Sequence, residues 1–334
     1  MIQKILVVDL AFIGDVVLIT PVLRSLKEQY PQSQIVLLTV PGTVSVATML
    51  PYVNEVIAYD KRGQDKGFWG MWTLSRKLRQ KKFDLAVCMN FAVRGAMVSW
   101  LAGIPLRAGY DIQHGRWFLN RLTSANRQGI KHERLNHLEV LRALNIPPTK
   151  DTSLGLCVPE LAKTSVLQKV KNESHGKKRL AICPFGSYER KNLPIELLVP
   201  LLKELKNSYD VYLIGDKGAK ANFVHLGEVC GLEQTQLLFG TLNLQELAAF
   251  LHDVDGLLTV DTGPQHIAQA VECPTVAVFG PTDPRIWGPV NLKDVVIYRG
   301  EDCSPCWGKG SCERAKCIHD IDVVEIVQAV KSRI

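Results

Sequence analysis

The chain has 334 residues, 46% of them apolar and 22% charged, with a formal net charge of +7. That length exceeds one ordinary core and suits two domains of about 150 residues each, and the composition excludes a disordered chain. No segment approaches the roughly 18 uninterrupted apolar residues of a membrane span. The opening MIQKILVVDLAFIGD lacks the zones of a secretory leader, so a cytoplasmic protein is expected.

KILVVDL is a continuous apolar run of the kind a parallel strand shows when both its faces are covered, broken only by Asp9. After the loop AFIGD, VVLITPVLRSLKEQY repeats its apolar positions at helical spacing. QIVLLTV and PYVNEVIAYD read as strands, MWTLSRKLRQKK as a basic amphipathic helix and FDLAVCMN as another strand. RAGYDIQHGRWFLNRLT shows no clear period, and HERLNHLEVLRALNI returns to helix. PPTKDTSLGL (147–156) marks a linker, after which the pattern restarts. RLAICPFG, DVYLIGD, GLLTVDT and TVAVFG read as strands; LPIELLVPLLKELKNSY, NLQELAAFLHDV, PQHIAQAVE and the closing DVVEIVQAVKSRI read as helices. Strand–helix alternation occurring twice predicts two α/β domains, 1–155 and 156–334, each a Rossmann-like, doubly wound parallel sheet. The closing helix is a candidate to pack back on the first domain.

Charge divides with the halves. Residues 1–150 hold 20 Lys and Arg against 10 Asp and Glu, a net of +10; the remainder holds 20 against 23, a net of −3. The basic half clusters Lys61, Arg62, Arg76, Lys77, Arg79, Lys81 and Lys82 about a helix containing Trp72, with Arg94, Arg107, Arg116 and Arg121 in or near later loops. The asymmetry suggests that the two halves bind different things, the basic one an anionic partner, against the alternative of an ordinary solvated surface; no nucleic-acid-binding signature points to DNA or RNA. Of nine cysteines, five are scattered in apolar contexts and read as small core residues of a reducing compartment. Cys303, Cys306, Cys312 and Cys317 are clustered as tightly as a zinc site, but the second pair is spaced by four residues, and a reduced, partly buried loop is the expectation.

Doubly wound sheets bind ligands beyond the carboxyl ends of their strands. In LLTVDTGPQHIAQA an apolar strand runs into Asp261, Thr262, Gly263 and Pro264 before a helix. Gly263 allows close backbone approach, and the helix amides with their positive dipole end suit a diphosphate, with His266 in the first turn. The competing reading makes Asp261 or Thr262 a simple helix cap. After RLAICP come Gly186 and Ser187, then Lys191: small residues and a point charge where a phosphate would sit. In the first half, Gly14 and Asp15 open a helix, with the carboxylate placed either as a general base or as the N-cap of Val16, Val17 and Leu18. Neither GxGxxG nor GxxxxGK[ST] occurs, which argues against a nicotinamide dehydrogenase and against P-loop chemistry.

The chain resembles glycosyltransferase family 9, the ADP-heptose:lipopolysaccharide heptosyltransferases, along nearly its whole length. The resemblance rests on FIGDVVLITPVLRSLK, PFGSYERKNLP and LLTVDTGPQHIAQAVECPTVAVFGPTDPRIWGP. It implies a GT-B fold with two domains facing a cleft, acceptor on the first and nucleotide sugar on the second. It implies Asp15 as general base, with Gly14 beside it, and Lys191, Gly186, Ser187, Asp261, Thr262, Gly263 and His266 at the donor. Family members often carry Trp before the proline that is Pro194 here; this chain has Leu193. For the cysteine cluster the resemblance implies at most a structural role.

The expected reaction is inverting transfer of heptose from ADP-heptose to a hydroxyl of the anionic, lipid-linked inner core at the inner face of the cytoplasmic membrane. No metal or cofactor is expected. The chain's Asp-x-Asp sequences, Asp253-Val254-Asp255 before a strand and Asp320-Ile321-Asp322 near the C-terminus, are poorly placed for a cation. Two other readings stand beside it: a GT-B-like sugar-nucleotide 2-epimerase, and a non-enzymatic two-domain sugar-binding protein.

Overall fold

The computed structural model describes residues 2–124, 130–170, 176–218, 220–309, 312 and 314–334, with backbone alone for 220–224. The chain divides into two compact units, Met1–Cys157 and Val158–Ile334.

The first unit runs β1 (Lys4–Val8), α1 (Ile13–Leu18), α2 (Thr20–Gln29), β2 (Gln34–Thr39), α3 (Val44–Ala47), β3 (Val53–Ala58), α4 (Gly67–Gln80), β4 (Leu85–Cys88), α5 (Val93–Leu101), β5 (Leu106–Tyr110), β6 (Arg121–Thr123) and α6 (Glu133–Leu138). The second runs α7 (Glu160–Lys169), β7 (Lys178–Cys183), α8 (Ile195–Ser208), β8 (Tyr209–Gly215), α9 (Lys220–Cys230), β9 (Leu237–Phe239), α10 (Leu244–Asp253), β10 (Gly256–Val260), α11 (Gly263–Ala270), β11 (Thr275–Phe279), α12 (Pro284–Trp287), β12 (Val295–Tyr298), α13 (Lys316–His319) and α14 (Val323–Arg333).

Each unit holds one six-stranded sheet, ordered β3-β2-β1-β4-β5-β6 and β12-β11-β10-β7-β8-β9, and every pairing is parallel. Read from the other edge, the second order is the first one repeated. The fold is therefore two copies of one Rossmann-like arrangement, and in each the winding reverses between two central strands: β1 and β4, then β7 and β10. Their residues are apolar without alternation because helices cover both faces. Ile5, Leu6 and Val7 are fully buried, as are Leu257, Leu258 and Val260. Leu6, Val8, Leu38 and Ala86 join Leu74 and Leu78 of α4 in one core; Leu180, Ile182, Leu258 and Val260 join Leu198, Leu201 and Leu205 of α8 in another.

Several elements differ from the sequence reading. The helix expected over VVLITPVLRSLKEQY is two, α1 and α2. Pro21 lacks an N–H for the Val17 carbonyl, and the Thr20 hydroxyl donates to that carbonyl instead, at 2.7 Å. The aperiodic stretch around residues 107–123 holds β5 and the short β6, while β9 and β12 are edge strands that periodicity did not reveal. Three or four residues carry too little pattern to register. The expected linker is fastened to the first unit: the Thr149 amide donates to Ser25 Oγ at 2.9 Å, and Arg24 holds the Asp151 carbonyl and carboxylate. The closing helix α14 packs on α8 beside β11 and β12.

Candidate functional site

The two reversal points carry polar residues at the carboxyl ends of their strands. In the second unit these are the loops after β7 and β10. Lys191 Nζ meets Asp261 Oδ2 at 2.6 Å, an ion pair across the reversal with side chains only 12% and 8% exposed. The ammonium also lies 5.0 Å from the centre of the Tyr188 ring. Asn192 Oδ1 accepts from the Gly186 amide at 2.9 Å, folding the loop so tightly that a Cβ on Gly186 would stand 2.5 Å from Lys191 Cβ. Glycine is required there by close approach. Ser187 is exposed. Leu193, where the resemblance leads one to look for Trp, is buried in the core, and its amide donates to the Pro184 carbonyl at 2.9 Å.

Thr262 holds the N-cap position of α11 in extended conformation, but its side chain makes no capping bond, so the simple-cap reading fails for Thr262. It fails for Asp261 too, whose carboxylate serves Lys191. Gly263 and Pro264 open the helix as its first and second residues. His266 is buried, with Nδ1 lacking a hydrogen-bond partner and its ring edge-on to Trp287 at 6.4 Å. Burial lowers its pKa to about 4, with the Lys191 charge adding and the Asp261 charge opposing, so the imidazole is neutral near pH 7. Gln265, also buried, donates to the Trp287 carbonyl at 2.7 Å. Asp283 of FGPTDP caps α12 through the Arg285 amide at 2.9 Å.

Residues 304–308, in the cysteine-bearing stretch, bond to the loops after β7 and β11. Trp307 N donates to the Pro281 carbonyl at 2.8 Å, Ser304 Oγ to Gly280 at 3.1 Å, and Arg190 to Gly308 at 3.2 Å. Gly308 lies against the Tyr188 ring, where a Cβ would come within 2.9 Å. The cysteines grade from exposed Cys303 to buried Cys317, all as free thiols. Among the described residues no group of three or more His, Cys, Asp or Glu is arranged to hold a metal ion.

In the first unit, the reversal point between β1 and β4 brings Asp9 to Asn90. Asn90 Nδ2 donates to Asp9 Oδ1 at 3.0 Å, and the Ala11 amide donates to the same oxygen at 3.1 Å. Asp9 is wholly buried and its Oδ2 has no partner. Burial raises its pKa to about 6, against the pull of Asn90, the Ala11 amide and Lys61. Lys61 Nζ donates to the Leu10 carbonyl at 2.9 Å, next in the chain. Gly14 is buried in α1, and Asp15 follows as the third helical residue, accepting from the Phe12 amide at 3.2 Å. The N-cap is thus Phe12, and the reading of Asp15 as N-cap is corrected: its carboxylate reaches back to the cap from inside the helix. Burial and then the nearby Asp9 charge raise the Asp15 pKa to about 6; His137 and the Phe12 amide lower it, and Glu133 raises it slightly. A carboxylate so placed accepts a proton more readily than an ordinary aspartate.

Sequence reasoning singled out Asp15, Lys191 and the Asp261 loop, and the structure joins the last two. It missed Asn90, Tyr188 and Asn192, and it noted Asp9 only as an interruption. That interruption was the available signal, since a carboxylate in a run of buried apolar residues must have partners.

The family model of Glycosyltransferase family 9 (heptosyltransferase) matches residues 71–317. Lipopolysaccharide heptosyltransferase 2 of Salmonella typhimurium is 26% identical over 310 residues, covering 88% of each chain. A glycosyl transferase family 9 crystal structure from Veillonella parvula superposes with a TM-score of 0.85 at 23% identity, covering 99% of this chain and 96% of that one. The E. coli ADP-heptose lps heptosyltransferase II structure gives 0.81 at 22% identity, covering 99% and 98%.

Proposed function

The chain belongs to glycosyltransferase family 9, the heptosyltransferases, with the GT-B fold of two Rossmann-like domains, and from that premise we propose that it moves heptose from ADP-heptose to a hydroxyl of the lipopolysaccharide inner core. The observation that carries this reading is Asp15, a carboxylate at the reversal point of the first sheet whose pKa is raised to about 6. In the proposed step Asp15 takes the proton of the acceptor hydroxyl. That oxygen bonds to the anomeric carbon as the bond to the diphosphate breaks, inverting the centre in one displacement.

The leaving ADP gathers negative charge, which the first-turn amides of α11 and the Lys191 ammonium are positioned to stabilise. Asp261 fixes that ammonium and Lys191 cancels the Asp261 charge, so the diphosphate meets a neutral pair at a positive helix end. Gly186, Ser187, Thr262 and Gly263 line the same loops, and neutral His266 offers a ring nitrogen rather than a charge. We assign no catalytic metal. Asp253 and Asp255 bind Arg179 at the amino end of β10, the opposite end from Asp261; Asp322 caps α14, and Asp320 meets Arg314. Work at the inner face of the cytoplasmic membrane as a peripheral protein completes the reading.

Incubation with ADP-heptose, with and without a Kdo-lipid acceptor, tests it. ADP release and a heptosylated acceptor that appear only when both substrates are present are expected. Turnover of ADP-heptose alone would instead indicate an epimerase, and binding without turnover a sugar-binding protein.

A further inference from the structure

The basic cluster of the first unit divides, once side chains are placed, into cations that hold the fold and cations that hold nothing. Lys81 pairs with Glu55 at 2.6 Å, Arg116 with Asp111 at 2.6 Å, Arg79 donates to the Leu101 carbonyl at 2.8 Å and Arg107 to the Phe118 carbonyl at 2.6 Å. Lys66, Arg76 and Lys77 are exposed and make no ion pair or side-chain hydrogen bond among the described residues. All three belong to α4 or its N-cap.

That helix is two-faced. Met71, Leu74, Ser75 and Leu78 are buried in the core, while Trp69, Thr73, Arg76, Lys77 and Gln80 recur at helical spacing on the opposite side and are exposed. At its amino end Phe68 is 59% and Trp69 76% exposed, their rings edge-on at 5.9 Å. Single exposed aromatics are ordinary, but an adjacent Phe–Trp pair continued by unpaired cations along one helix face is the pattern of a helix lying in a membrane interface. The position fits the pattern. β1 and β3 run parallel, so the loop from β3 to α4 leaves the sheet at the same carboxyl end as the loop that carries Asp15, and Lys61 of the former donates to the Leu10 carbonyl of the latter.

We infer that the exposed face of α4 docks the enzyme on an anionic lipid leaflet, with Phe68 and Trp69 entering the interface and Lys66, Arg76 and Lys77 meeting the headgroups. Charge chooses this occupant: the half containing α4 carries a net of +10, which repels a second copy of the same face and attracts anionic lipid. No helix of the described residues is long and apolar enough to cross a membrane, and this docking needs none. The inference rests on the reading of a lipid-linked acceptor, which such docking would bring to the carboxyl end of the sheet, where the Asp15 loop lies.

The test is co-sedimentation of the full chain with vesicles of phosphatidylglycerol and phosphatidylcholine, or phosphatidylcholine alone, across a salt series. Binding to the anionic vesicles alone, weakening as salt rises, is expected. Phe68→Ser with Trp69→Ser, and separately Arg76→Gln with Lys77→Gln, should each lower the partition coefficient roughly tenfold or more without changing the melting temperature. These variants should retain turnover of a water-soluble, delipidated acceptor and lose it on a vesicle-borne one. Equal binding to both vesicle types, insensitivity to salt, or wild-type binding by both double variants overturns the inference. Absence of turnover in the wild type, with binding intact, would count against the proposed reaction and not against the docking face.

Discussion

The two sheets share one strand order, yet their reversal points hold opposite electrostatics. Between β7 and β10 a cation and a carboxylate face each other at 2.6 Å and cancel. Between β1 and β4 the buried Asp9 has only the neutral Asn90 amide and the Ala11 N–H, with Lys61 acting from farther off, and Asp15 feels its charge. One frame thus makes a site that tolerates an incoming anion and another that stores basicity. The difference lies in which side chains the loops deliver to the same place, not in the backbone arrangement.

The largest expected effect breaks the basic side. Asp15→Asn should lower turnover by roughly 10²–10⁴, the usual worth of a general base, while calorimetry shows ADP binding unchanged. Near-wild-type turnover would reduce Asp15 to a helix-end carboxylate. The next breaks the paired side. Lys191→Ala leaves Asp261 buried without its counter-charge and should destabilise the protein by about 3 kcal/mol in urea unfolding, while weakening ADP binding. Adding Asp261→Ala should restore most of the stability and none of the affinity, which separates a structural pair from a ligand-binding one.

A third prediction sharpens the contrast through pH. Turnover should rise with pH and reach half its plateau near pH 6, falling about tenfold per unit below, as Asp15 becomes protonated. Asp9→Asn should move that midpoint down by removing a neighbouring negative charge. Asp9 itself has a folded-state pKa raised from 3.8 to about 6, so the stability it contributes is complete below pH 3.8 and is lost as pH rises through 6. The Asp9→Asn variant should therefore gain about 1–3 kcal/mol relative to wild type at pH 8 and little at pH 4, read from paired unfolding curves. The smallest expected effect is that of a chelator. EDTA should change the transfer rate less than about twofold, since helix amides and Lys191 are assigned the leaving charge. Loss of activity restored by magnesium would overturn that assignment.

Much was legible without coordinates. The unalternating runs KILVV and GLLTV announced parallel strands covered on both faces, and the Asp261-Thr262-Gly263-Pro264 step announced a strand feeding a helix. Asp15 and Lys191 stood out because charged residues in strand-end loops are where such sheets keep their chemistry. What the sequence could not deliver were the partners. Asp9 meets Asn90 across 81 residues and Lys191 meets Asp261 across 70, and both encounters depend on β1 lying beside β4 and β7 beside β10. Local periodicity determines that a segment is a strand and which residues it buries. The order in which strands lie side by side is decided by the packing of helices over the whole sheet, and only that order determined that one pair of loops would neutralise a charge and the other would leave one nearly bare.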